Sequence, residues 1–97
     1  LILEAAFLQV KQGLEDEYEE TFRKASKIIS SMDGYVTHSL QRCLEVEGKY
    51  LLLVTWGSLE DHTVGFRESA EYQEWKKLLH HYYDPFPTVE HFEKVSL

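Results

Sequence analysis

Tyr50-Leu51-Leu52-Leu53-Val54-Thr55-Trp56 is apolar almost throughout, with Thr55 the one small polar interruption. A run this short, introduced by the hairpin signal Glu47-Gly48, predicts a strand in the middle of a sheet. Successive strand residues point to opposite sides. Leu52, Val54 and Trp56 therefore share one face with Tyr50, and Leu51 and Leu53 occupy the other. Both faces need cover from water.

Working outward, Leu1 to Val10 is another apolar run, ended by Lys11-Gln12-Gly13, and predicts a second strand buried on both sides. From Leu14 the period changes. Leu14, Tyr18, Phe22, Ala25, Ile28, Ile29 and Met32 recur at helical spacing, while Glu15, Glu19, Glu20, Arg23, Lys24 and Lys27 take the opposite side. Acids crowd the first turns and bases the last, as the helix dipole prefers, and Asp33-Gly34 supplies the stop. Tyr35 to Leu44 follows as a strand with Val36, His38, Leu40, Arg42 and Leu44 on one face. Beyond Trp56, Ser58 and Asp61 form a capping-box start to a helical stretch reaching about Glu68, and Ser69 caps a further helix from Ala70 to Tyr83. Asp84-Pro85-Phe86-Pro87 must end it, and Thr88 to Val95 alternates as a last strand.

The order βαββαβ predicts an α+β fold of the ferredoxin-like type, a four-stranded antiparallel sheet with both helices on one side. Two helices cover one face only. Leaving Leu51 and Leu53 in water would cost roughly 1.5–3 kcal/mol each, and a second sheet packed face to face removes that cost. A symmetric homodimer supplies such a sheet.

The 97 residues make one domain, 1–97. The net charge of −7 argues against nucleic acid, which requires a basic stripe. No stretch is long and apolar enough for a membrane span, and the opening residues carry Glu4 without a basic flank, unlike a signal peptide. Cys43 is the sole cysteine, so no disulfide framework exists and a reducing cytoplasm is expected.

Aromatic residues make up 13% of the chain, enough to line a pocket as well as fill a core. His62, Phe66, Tyr72, Trp75 and Leu79 form one stripe that should face Leu52, Val54 and Trp56. A space between them would suit a flat aromatic ligand, although the same stripe would serve plain core packing. His62, near a helix start and inward-facing, is the candidate general base, its charge disfavoured by the helix dipole. A locally hydrogen-bonded histidine is the duller reading. His38 points either into the same space or toward a partner, or is simply structural. Arg67 could hold an anionic oxygen, with a salt bridge to a nearby Glu as the alternative. His80 and His81, adjacent on a helix, diverge by about 100° and do not form a metal pair. Phe86 could reach the mouth of the cavity if its proline-rich segment folds across it.

Val54-Thr55-Trp56, Leu59-Glu60-Asp61-His62, Phe66-Arg67, Ser69, Tyr72, Trp75, Leu78-Leu79 and Pro85-Phe86-Pro87 together resemble the antibiotic biosynthesis monooxygenase (ABM) family of dimeric α+β barrels. The opening strand, Gly13 and the first helix fit the same plan. One branch of that family oxidises polyketide anthrones to quinones with O2 and no metal or flavin, holding substrate with an Asn and a Trp on the third strand. Trp56 matches that tryptophan, His62 falls near a later polar position, and Leu52 stands where the Asn is expected. A second branch opens haem, using a first-strand Asn where this chain has Ala5 or Ala6 and a helix His near Trp75. The resemblance thus implies a cofactor-independent monooxygenase acting on a small aromatic or quinol-like molecule and O2. Catalysis would fall to His62 and Trp56, and contacts to Leu52, Phe66, Arg67, Tyr72, Trp75 and His38. Haem binding, or a non-catalytic dimer that binds a hydrophobic ligand, are the alternatives.

Overall fold

The computed structural model describes residues 1–97. Strands β1 (Ile2–Gln9), β2 (Tyr35–Arg42), β3 (Lys49–Trp56) and β4 (Thr88–Phe92) form one antiparallel sheet in the order β2-β3-β1-β4. Helices α1 (Glu15–Ile29) and α2 (Ala70–Leu79) pack on the same face of it, giving the ferredoxin-like arrangement. No helix is long and apolar enough to cross a membrane.

Register assigns the two faces. Ile2, Glu4, Ala6 and Leu8 of β1 stand opposite Trp56, Val54, Leu52 and Tyr50 of β3. All but Ile2 are buried beneath the helices. The other face carries Leu3, Ala5 and Phe7 against Thr55, Leu53 and Leu51. There Phe7 is 40% exposed and Phe92, paired with Leu3, is 47% exposed. The division read from alternation in Tyr50–Trp56 is the one observed.

Helix α1 is amphipathic as expected, burying Tyr18, Phe22, Ala25 and Ile29, with Leu14, Ile28 and Met32 packed at the margin. Helix α2 stops at Leu79, short of the expected Tyr83. Its end tightens into a turn at His80–Tyr82, and Tyr83 turns extended to bridge Val10 at the end of the first strand. Strand β4 likewise ends at Phe92 instead of Val95. Its last pair is Phe92 with Leu3, and the residues beyond leave the ladder.

One correction concerns β2. Val36 was expected on the face of His38 and Leu40, yet a bulge lies between Tyr35 and Thr37, and Val36 is 50% exposed. Tyr35 takes the inward position opposite Trp56, its ring meeting the indole edge-on at 6.3 Å and 87°. A bulge inserts one unpaired residue and shifts the parity of what precedes it. Leu44, 91% exposed, lies beyond the strand.

The turn before β2 bears directly on the helical segment that follows β3. Gly34 has φ +81°, and its carbonyl accepts from the Gly57 amide at 2.7 Å. A Cβ there would fall 2.1 Å from the Asp61 carboxyl carbon. Asp61 cannot easily move aside. Its Oδ2 accepts from the Ser58 amide at 3.0 Å while its own amide donates to Ser58 Oγ at 3.3 Å, the reciprocal cap anticipated for this pair. Gly34→Ala should therefore combine a left-handed strain with loss of the cap. A destabilisation of about 2 kcal/mol is expected, read as a lower urea midpoint with an unchanged slope; a midpoint equal to wild type would contradict this account.

Candidate active site

Helical structure begins just after Trp56, and from Asp61 to Phe66 it is wound one residue wider than an α-helix: the Arg67 amide donates to the His62 carbonyl, five residues back, at 3.1 Å. Such π turns arise where a side chain must be re-aimed. This one drives both His62 and Phe66 inward, 3% and 2% exposed. The His62 ring stacks on the Trp56 indole, centroids 5.4 Å apart and planes 19° from parallel, while Phe66 tilts against the same indole at 5.8 Å.

His62 has polar company that the sequence reading overlooked. Glu4 projects from β1 on the helix side, 5% exposed. Its Oε1 accepts from Trp56 Nε1 at 2.9 Å and lies 3.4 Å from His62 Nε2. The other ring nitrogen, Nδ1, is 2.8 Å from Nε2 of His91, which stands directly opposite Glu4 in the β1–β4 ladder. The arrangement in which every contact has a donor and an acceptor, and Glu4 is a carboxylate, runs His91 Nε2–H to His62 Nδ1 and His62 Nε2–H to Glu4. Nδ1 is thereby hydrogen-bonded, and Nε2–H faces the carboxylate oxygen at 3.4 Å.

Burial dominates the electrostatics. It drives the His62 imidazolium down to a pKa of about 3, with the positive charge of Arg67 and the nearby His91 adding to the effect. The expectation of a neutral His62 holds, for a different first cause than the helix dipole. Burial pushes the Glu4 carboxyl up, opposed by its bond from Trp56 and by Arg67. His91 is lowered for the same two reasons as His62, burial and then Arg67.

In front of this cluster lies a cavity of about 430 Å³ between sheet and helices, within the range of small-molecule sites. Its floor is Glu4, Ala6, Leu8, Leu52 and Val89. Its walls are His62, Phe66, Tyr72 and Trp75, the last two meeting Phe66 edge-on at 5.2 and 5.6 Å. Arg67, His80, Tyr83, Phe86 and Pro87 complete it. Phe86 is 71% exposed and meets His80 edge-on at 5.3 Å, so the proline-rich segment does reach the cavity. His81 instead packs on Tyr82, facing away from His80.

Of the residues singled out from sequence, Leu52, His62, Phe66, Arg67, Tyr72 and Trp75 surround one space. Trp56 lies behind His62, fully buried, and supports the wall without lining it. Arg67 forms no ion pair, contrary to the salt-bridge alternative. His38 is elsewhere. Its ring is held by Tyr35 Oη and by Ser26 Oγ at 3.2 Å, beside Phe22, outside the cavity.

These shifts bear on stability. Unfolded His62 binds a proton below about 6.5, whereas folded His62 does so only near 3. Its contribution is full above 6.5 and lost as pH falls toward 3, with a slope of up to about 1.4 kcal/mol per pH unit. Glu4, raised above 4.5, acts in the opposite sense just above that pH, favouring the fold in acid. Wild type should therefore lose stability on acidification below about 6.5, and His62→Gln should lose less. Parallel pH–stability curves for the two proteins would refute the assignment.

The family model for antibiotic biosynthesis monooxygenases matches residues 1–78. The uncharacterized protein YczJ of Bacillus subtilis (strain 168) is 63% identical over 95 residues, spanning 98% of this chain and 100% of its own. A candidate antibiotic biosynthesis monooxygenase from Bordetella bronchiseptica superposes with a TM-score of 0.93 at 34% identity, covering 98% of this chain and 97% of that one. SnoaB of Streptomyces nogalater, described as a cofactor-independent oxygenase, shares the fold with a TM-score of 0.84 at 14% identity, over 99% and 94% of the two chains. An aromatic cavity backed by a strand-end tryptophan and built on this topology, together with these matches, makes the chain a member of the antibiotic biosynthesis monooxygenase family.

Proposed function

We propose that the protein is a cofactor-independent monooxygenase that oxidises a small aromatic or quinol-like compound in the cavity between helices and sheet. One observation carries this reading: the aromatic cavity ends on an acid–base cluster of buried Glu4 and His62 and half-buried His91, backed by Trp56. Aromatic walls at Phe66, Tyr72 and Trp75 suit a planar ring, Leu52 underlies it, and Arg67 at the rim offers charge to an anionic oxygen. SnoaB, similar in fold, is described as working without a cofactor.

The chemistry balances with O2 as sole co-reactant. An acidic ring methylene of the anthrone type loses a proton to the cluster around His62. The resulting carbanion donates its electron pair to O2, forming a C–O bond, and the peroxide takes the proton back. Loss of the second C–H proton then expels hydroxide, which leaves as water, and a carbonyl remains. The methylene gives up four electrons and O2 accepts four, one oxygen ending in product and one in water.

The same reading places the protein as a homodimer in a reducing cytoplasm. The face carrying Leu3, Phe7, Leu51 and Leu53 is apolar and uncovered in a single chain, and Cys43 is unpaired. Two such sheets packed together would remove that surface from water.

Oxygen uptake over a panel of anthrones and hydroquinones tests the activity. Wild type should consume O2 with at least one of them, and His62→Ala should slow it by about a hundredfold or more. No uptake by wild type across the panel, with the compounds still bound, would leave a hydrophobic-ligand-binding protein. A Soret band on titration with haem, coupled to haem loss, would favour the other branch of the family. Assembly has its own test: Leu53→Asp, on the face away from the cavity, should halve the mass seen by light scattering, and an unchanged mass would remove this face as the interface.

A further inference from the structure

Within the acid–base cluster the roles are not interchangeable. His62, although it lines the cavity, has one ring nitrogen 2.8 Å from His91 Nε2 and the other 3.4 Å from Glu4 Oε1. With Nδ1 accepting from His91, Nε2 carries the ring hydrogen toward the carboxylate, and no ring lone pair is left for a substrate proton. Glu4 differs. Its Oε1 takes the bond from Trp56 and lies 3.4 Å from His62 Nε2, whereas Oε2 makes no hydrogen bond within the protein. No buried side-chain oxygen or nitrogen in the molecule lacks a partner. Oε2 must therefore retain accessible surface, and the open space that Glu4 borders is the cavity.

We propose that Glu4 is the group that takes the substrate proton, at Oε2, and that His62 and His91 are positioning residues that hold its carboxylate in place. His91 donates from Nε2 to His62 Nδ1, which fixes the His62 tautomer with Nε2–H aimed at Glu4. Trp56 Nε1–H secures the same oxygen. Oε1 is thus tethered by the indole, with the imidazole beside it, and Oε2 is left free at the border of the cavity. Burial, which raises the carboxyl above its ordinary value, strengthens it as a base. Titratable or charged groups facing it come from the π turn (His62, Arg67) and from β4 (His91). The one fixed cation among them, Arg67, is placed to stabilise a substrate anion as Glu4 becomes neutral.

This inference rests on the oxygenase reading for its chemistry and narrows the substrate class to carbon acids whose anion is a phenolate or enolate. In the sequence above, Glu4 removes the first C–H proton, returns it to the peroxide, removes the second, and passes it to the departing hydroxide. The carboxylate ends each cycle as it began, with no proton drawn from solvent.

4-Nitrophenol, whose anion absorbs in the visible, tests the assignment without turnover. Bound to wild type at mildly acid pH, it should show several times the phenolate fraction it has in free solution. Glu4→Gln, nearly isosteric and still able to accept from Trp56, should bind the neutral phenol and lose that excess. With an oxidisable substrate, Glu4→Gln should lower kcat by about a hundredfold or more, with KM little altered, and remove the acid limb of the pH profile. His62→Gln should shift that limb and retain part of it. An infrared difference spectrum of wild type with and without 4-nitrophenol supplies a readout that needs no variant: a protonated carboxyl band should appear on binding. Absence of that band, or a folded Glu4→Gln that ionises the phenol or turns over like wild type, would overturn the proposal. If Glu4-dependent ionisation is seen while no compound is oxidised, the oxygenase reading fails and the assignment of Glu4 stands.

Discussion

A carboxylate buried in a strand of otherwise apolar residues is the constraint around which this molecule is organised. Glu4 lies between Leu3 and Ala5 with its side chain directed into the core, 5% exposed. An unpaired charge there would be prohibitive. Its neighbours answer that demand from three separate parts of the chain: Trp56 from β3, His62 from the π turn and, one step removed, His91 from β4. The widened turn, the position of the tryptophan at a strand end and the pairing of β4 alongside β1 all serve the same few ångströms. His62, which faces the carboxylate, is also part of the cavity wall.

The sheet separates the cavity from an uncovered apolar face by parity alone. Even-numbered residues of β1 and β3 build the core and the cavity floor, and odd-numbered residues form the uncovered apolar face. Phe7 and Phe92 remain partly in water on that side, where a polar surface would be normal for a solitary α+β domain. Among the residues paired with β1 on that side, only Glu90, opposite Ala5, and Lys49, opposite Gln9 at the strand end, are charged.

The fold was legible because its signals are local. Seven residues from Tyr50 to Trp56 gave the central strand and its two faces, and the helical spacing of Tyr18, Phe22, Ala25 and Ile29 gave the face of α1. Element ends were less so. The bulge at Val36, the short β4 and the early close of α2 each depend on what a neighbouring strand offers, which spacing does not encode. The aromatic wall could be read from the stripe His62, Phe66, Tyr72 and Trp75. Its polar half could not, since residues 4, 62 and 91 meet only through strand pairing. A signal did exist: Glu4 shares strand parity with Ala6 and Leu8, and a lone acid on a core-facing position calls for partners. His38 misled because a histidine among apolar neighbours looks the same whether it faces a ligand or, as here, a tyrosine and a serine.

Opposite faces of one strand doing unrelated work makes this chain brittle toward length changes in a way that composition conceals. Deleting or adding one residue within β1 would rotate Glu4 onto the uncovered face and bring Leu3 or Ala5 beneath Trp56. Hydrophobic content would be nearly unchanged, yet the acid would be withdrawn from His62 and planted in the apolar surface. The Cys43–Glu47 segment between β2 and β3, bound by no such parity, can lengthen without that penalty. Natural variation in this architecture should thus accumulate as insertions between β2 and β3 and as substitutions, never as single-residue indels, along Ile2–Gln9.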